Sequence, residues 1–174
     1  MNVRRRLVSV LALSGLLALA ACSDGADTLD QAATERAVGK AVAAEVEPKV
    51  TATTCPDEIE READGRFTCM VTLQGAGKLP VSVTQTDDDG TLRVVPGAAV
   101  VTQERVAAEL KAALKEQFER SFQVACDLDD DVAVRPPGSK VTCTARDATS
   151  RRSVTVTVTD TAGTLSFDVG DASG

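Results

Sequence analysis

In Val154-Thr-Val-Thr-Val-Thr159 valine alternates with threonine, so an extended strand here carries every valine on one face and every threonine on the other. One face is core and one is wet. Val81-Ser-Val83 starts a similar run in the first half of the chain. Asp89-Gly90 and Ala162-Gly163 follow as hairpin turns, and Leu92-Arg-Val94 and Leu165-Ser-Phe167 return as strands. Earlier strands are predicted at Thr51 to Cys55 and Phe67 to Leu73 in the first half, and at Phe122 to Cys126 and Val141-Thr-Cys143 in the second. Two segments have helical periodicity instead. Val106, Leu110, Leu114 and Phe118 recur every four residues along a charged or Ala-rich stretch, with Thr102 placed as the N-cap. Val38, Val42 and Val46 make the same stripe with smaller side chains, and Pro48 is the predicted stop. Gly39 weakens that helix by about 1 kcal/mol relative to Ala.

Aligned against itself, the chain shows an internal repeat. Val81 to Leu92 matches Val154 to Leu165 without a gap, Cys55 matches Cys126, and Gly65 to Cys69 matches Gly138 to Cys143 with one inserted residue. The predicted fold class is α+β, in two tandem repeats. Each is one helix packed on an antiparallel meander of about four strands with one disulfide. The predicted organisation is a signal peptide at 1–21, a lipidated cysteine and flexible tether at 22–33, a first repeat at 34–96, a short linker at 97–101, a second repeat at 102–170 and a tail at 171–174. The segment around 97–101 is short and apolar, which favours two domains packed together over freely swinging ones.

The first 22 residues have their own pattern. Arg4-Arg5-Arg6 precedes an apolar run from Leu7 to Ala20 that is too short for a permanent spanning helix, and Leu19-Ala20-Ala21-Cys22 closes it. This resembles the lipobox of bacterial lipoproteins. The resemblance implies cleavage before Cys22, a diacylglycerol on its thiol, and a mature protein held by that anchor on the extracytoplasmic face of the cell membrane. Arg4-Arg5 leaves the general secretory and twin-arginine export routes both open.

Charge and composition narrow the function. The whole chain carries −7; removing residues 1–21 takes three of the 19 basic residues and none of the 26 acidic ones, leaving −10. Such a surface repels nucleic acid and anionic lipid, so no nucleic-acid partner is expected and membrane attachment rests on the acyl chains of Cys22. The chain has no Trp, no Tyr and only four Phe, which argues against ring-stacking sugar or single-strand sites. It has no His, the commonest general base and zinc ligand. No G-x-S-x-G or S-x-x-K motif stands out, so no catalytic residues and no cofactor are expected.

With Cys22 assigned to lipid, Cys55, Cys69, Cys126 and Cys143 remain, and four cysteines permit three pairings. The internal repeat selects Cys55 with Cys69 and Cys126 with Cys143. Each closes a loop of about 15 residues, which gives on the order of 3 kcal/mol in a chain-entropy estimate. Neither spacing suits a redox-active pair. Asp87-Asp88-Asp89-Gly90 has a calcium-loop look, but the closing Glu is absent and Pro96 stands in its place, so it reads as a hairpin tip with no metal. The acidic loop from Asp127 to Asp131 leaves weak calcium binding open.

Helix, Cys55-Pro56, Gly65-x-x-x-Cys69, a Val-alternating strand and an Asp-x-x-Gly turn together resemble a family of small extracytoplasmic domains of unknown function. That family occurs in lipoproteins and membrane-anchored proteins of actinobacteria. The resemblance covers both repeats; the second has Cys126-Asp127 in place of Cys-Pro. It implies a fold and a compartment and brings no catalytic residue. The function expected from these observations is a lipid-anchored, non-catalytic protein-interaction module of the cell envelope, with an unknown envelope protein as partner. The alternative is a carrier of a small apolar ligand or lipid, held between helix and sheet or in a groove between the repeats.

Overall fold

The computed structural model describes residues 28–128 and 130–173. The expected signal peptide, Cys22 and the tether up to residue 27 lie outside the described residues, as does Asp129 of the acidic loop. No helix among the described residues is long and apolar enough to cross a membrane.

In the first half, helix α1 (Gln31–Ala43) lies against a four-stranded antiparallel sheet of β1 (Val50–Thr54), β2 (Arg66–Leu73), β3 (Gly77–Gln85) and β4 (Leu92–Pro96), in that order. Asp30 caps the helix, its carboxylate accepting from the Ala33 N–H at 2.6 Å. The helix thus starts inside the stretch expected as tether. It also ends well before Pro48, so Val46 lies beyond it and packs half-buried against the core rather than completing a helical stripe. Val38 and Val42 do face the sheet and meet Val71, Leu79, Val81 and Val83, all fully buried. Gly39 is buried too: a Cβ there would sit 2.7 Å from Thr53 Oγ1 on β1. The glycine that weakens the helix is what lets it approach the sheet.

In the second half, helix α2 (Gln103–Phe118) lies on a sheet of order β10-β9-β8-β6. These strands are β6 (Gln123–Cys126), β8 (Lys140–Arg146), β9 (Arg151–Val158) and β10 (Leu165–Ser173). Thr102 caps α2, its hydroxyl accepting from the Arg105 N–H at 3.1 Å. Val106, Leu110 and Leu114 pack on Val154, Val156 and Val158, the valine face of the alternating strand. Phe118, last of the stripe, is half-buried at the margin, edge-on to Phe122 and under the Arg152 guanidinium, 4.6 Å from the ring centre.

The stretch 97–101 is not a plain linker. It holds most of β5 (Ala99–Thr102), which pairs antiparallel with β7 (Val132–Arg135) from the loop closed by Cys126 and Cys143. This ribbon is a third sheet that the expected pair of four-stranded meanders lacks. Ala99 and Val101 enter the second core, while Val100, Val132 and Val134 pack on the first. The Val134 N–H also donates to the Ala76 carbonyl of the first half at 3.2 Å. A two-residue period with both faces apolar inserts the ribbon between the cores.

The backbone corrects one detail of the internal alignment. Asp64 N–H donates to the Gln85 carbonyl and Gln85 N–H to the Gly65 carbonyl, both at 2.9 Å. Gly138 N–H donates to Val158 O at 2.7 Å and Val158 N–H to Ser139 O at 3.0 Å. Asp64 (φ 62°) and Gly138 (φ 86°) therefore hold the same place, and no residue is inserted between them and Cys69 or Cys143. The extra length of the second loop precedes β7. Sequence matching aligned glycine with glycine, but the positive φ is what the turn requires, and aspartate meets it in the first half.

Candidate functional site

The two disulfides join Cys55 to Cys69 and Cys126 to Cys143. Cys126 and Cys143 face each other directly in the β6–β8 pairing; Cys55 follows β1, whose last residue Thr54 faces Met70, next to Cys69. Each therefore fastens neighbouring antiparallel strands and anchors the loop between them. Cys55, Cys69 and Cys143 are buried.

The first loop is also held by Gln85, a polar residue only 1% exposed at the end of β3. Its Nε2 donates to the Glu60 carbonyl at 2.7 Å, and its Oε1 accepts from the Glu62 N–H at 3.3 Å. Both ends of the amide are satisfied, so a buried polar side chain stabilises the loop rather than costing a desolvated donor.

The aspartates singled out in the sequence diverge. Asp87 Oδ1 accepts from the Thr91 N–H at 2.9 Å, Asp88 Oδ1 from the Ala63 N–H at 3.1 Å, and the Asp89 carbonyl from Arg61 Nη1 at 2.8 Å. Hydrogen bonds from Thr91, side chain first and then backbone, hold the Asp87 carboxyl below the usual carboxylate range. Asp160 and Thr164 repeat the arrangement at the other hairpin, with Asp160 lowered in the same way. Gly90 and Gly163 turn there at φ 83° and 84°, and at Gly163 Arg105 Nη2 donates to the carbonyl at 3.1 Å. In the other acidic loop Asp127 N–H donates to Thr142 O and the Asp131 carbonyl accepts from Gln103 N–H, both at 2.8 Å. Among the described residues no group of three or more acidic or cysteine side chains is placed to hold a metal ion.

An open cleft of about 640 Å³ lies where the halves meet. Its apolar surface comes from Val46, Pro48, Pro96, Ala98, Val100 and Ala162. Glu45, Glu47 and Glu104 stand around it, and Arg105 is the basic residue among the described lining. Arg105 is already engaged, with Glu109 at 2.8 Å and with the Gly163 carbonyl. A second recess of about 500 Å³ shares Glu47, Thr102 and Glu104 and adds Asp131. The cleft combines an apolar floor with carboxylates at its margin, a surface suited to a partner bearing positive charge. The sequence marks Val46, Pro48, Thr102 and Ala162 only as stripe, helix-stop, cap and turn residues and does not join them into a cleft, because the ribbon that brings them together is not visible as an element in the sequence.

These features define a disulfide-bonded α+β protein with two helix-on-sheet cores clamped by a shared ribbon. Residues 13–90 match the model of a domain of unknown function, described as DUF4333. The matched stretch takes in α1, β1 to β3 and the Cys55–Cys69 disulfide and stops at Gly90, before β4. No curated protein and no solved structure matches the chain.

Proposed function

We propose that the mature protein is a lipoprotein, anchored through Cys22 to the extracytoplasmic face of the membrane, and that it is a non-catalytic interaction module of the cell envelope. In this reading it consists of two tandem copies of one unit, of the kind found in actinobacterial envelope proteins. The recurring hydrogen-bond pairs at Gln85 and Val158, the matching caps at Asp30 and Thr102 and the two Asp-x-x-Gly-Thr tips support the repeat. The observation that carries the interaction role is the cleft at the junction, open to solvent and bordered by Glu45, Glu47 and Glu104, as the docking site for a segment of an envelope protein. Both cores are filled by fully buried valines and leucines, which leaves a carrier of small apolar ligands less to work with.

The test is site-specific photocrosslinking on intact cells, with the probe at Ala108, which also lines the cleft, and, as control, at the exposed Lys111 of the same helix, which does not. A partner captured from Ala108, not from Lys111, and lost when Glu45, Glu47 and Glu104 are replaced by Lys supports the reading. Equal capture from both positions overturns it. So does an added mass on the purified protein that disappears on denaturation, which supports the carrier.

A further inference from the structure

We infer that the ribbon is a unit-to-unit docking device and that the outward faces of the two units carry polar residues where the junction between them is apolar, so that the chain does not dock on a second copy of itself. The inference rests on the tandem reading above and uses its residue equivalences. Helix caps Asp30 and Thr102 correspond, which places Thr28 opposite Val100 in the comparison. Thr28 pairs with Glu60, and Val100 pairs with Val134. In the second unit these positions are valines packed on the first core. In the first unit they are a threonine and an exposed glutamate.

The other end shows the converse change. The ribbon rests on the first unit at Ala76, whose carbonyl takes the Val134 N–H, and β3 begins one residue later. Leu79 on that strand is fully buried and pairs with Val71, two residues out from the Cys69–Val81 pair. Two residues out from Cys143–Val154 the second unit pairs Ala145 with Arg152. A buried leucine near the ribbon's contact at Ala76 becomes an arginine lying over Phe118, and in the turn between β8 and β9 Asp147 takes Arg120 at 3.3 Å. Where the first unit is apolar to receive a ribbon, the second presents cations and an ion pair. Complementary heterologous faces that were both apolar would propagate copies of the chain into open filaments, and polar outward faces prevent this.

The test is sedimentation velocity on the oxidised chain from Ser23 to Gly174, which retains every described residue. The wild type is expected to stay monomeric over roughly a hundredfold range of concentration. T28V/E60V alone and R152L alone are expected to remain monomers that pair with each other when mixed. The triple variant is expected to self-associate, its weight-average mass rising roughly twofold or more with concentration. R152M, which keeps an unbranched stem, replaces R152L if the latter folds poorly. A wild type that associates and is dissociated by E60K or R152E overturns the inference, and so does a folded triple variant that stays monomeric. Amide exchange on the wild type separates the underlying reading: the amides of Gln85 and Val158, and of Asp64 and Gly138, are protected pairwise if the units are equivalent. Protection in one half alone sinks the tandem reading whatever the association data give.

Discussion

Val100 and Val101 are consecutive residues on β5, yet they belong to different hydrophobic cores. Val101 is 1% exposed in the core under α2, and Val100 turns the other way onto the core under α1. An alternating strand with a core on each side is a mechanical coupling, because neither half can lose the ribbon without exposing apolar surface in both.

The first prediction concerns that coupling. Heat unfolding of the oxidised wild type is expected to give a single calorimetric transition, since the ribbon contributes to both cores. V100D/V134D places two carboxylates against the first core and is expected to split the transition in two, lowering the first half by about 2 to 4 kcal/mol. Scanning calorimetry checks this. Two resolved transitions in the wild type would show that the ribbon does not couple the halves.

Gln85 carries the second prediction. Replacing it with the valine found at position 158 leaves the Glu60 carbonyl and the Glu62 N–H without their side-chain partner in a part-buried setting. Q85V is expected to cost about 1 to 3 kcal/mol in urea unfolding despite its gain in hydrophobicity. Exchange at the Glu62 amide should accelerate along with it. The reverse change, V158Q, buries an amide with no loop groups arranged to receive it and is expected to cost at least as much.

Much of this fold is legible in the residues, and the illegible part has one physical cause. The stripe Val106, Leu110, Leu114 and the Val/Thr alternation from 154 to 159 are long enough for their period to be unambiguous, and each faces one core. The cysteine pairs follow from the repeated spacing, and the structure contains both. Strands β5 and β7 are four residues each, apolar on both faces, and paired across 30 to 36 positions of sequence, so neither alternation nor a local turn announces them. The cleft depends on that ribbon and was hidden with it. The role of Gln85 has no local signal either, since it is a polar residue on the buried face whose partners are backbone groups of a distant loop.

The hairpin aspartates set a pH dependence. Asp87 and Asp160 have folded pKa values below the usual carboxylate range, so their contribution to stability is complete above the unfolded value, near 3.8, and is lost as pH falls through the depressed folded values. D87A and D160A are therefore expected to be less stable than the wild type at neutral pH, with the difference shrinking as the solution is acidified. Asp147 belongs with them. Backbone hydrogen bonds from Thr149, then Ser150 by backbone and side chain, hold it well below the usual range. Urea melts across the acid range, with carboxyl NMR titrations of the three residues, check the direction. A gap between wild type and D87A that widens on acidification would contradict it.

The last prediction takes up Gly39, where helix propensity and packing oppose each other. In an open helix Gly→Ala stabilises by about 1 kcal/mol. Here the added Cβ falls 2.7 Å from Thr53 Oγ1, and Thr53 is a β-branched side chain on β1 whose rotamers are restricted. G39A is expected to destabilise despite its better propensity, since the helix must lift from the sheet or Thr53 must leave its rotamer, at about 1 to 3 kcal/mol. Removing the obstacle reverses the sign: in a T53A background the same G39A substitution is expected to recover part of the propensity gain. A double-mutant cycle by chemical denaturation measures this, with a coupling of about 1 kcal/mol or more between positions 39 and 53 as the expected result. Additive effects would mean that close approach to β1 is not what requires glycine at this position.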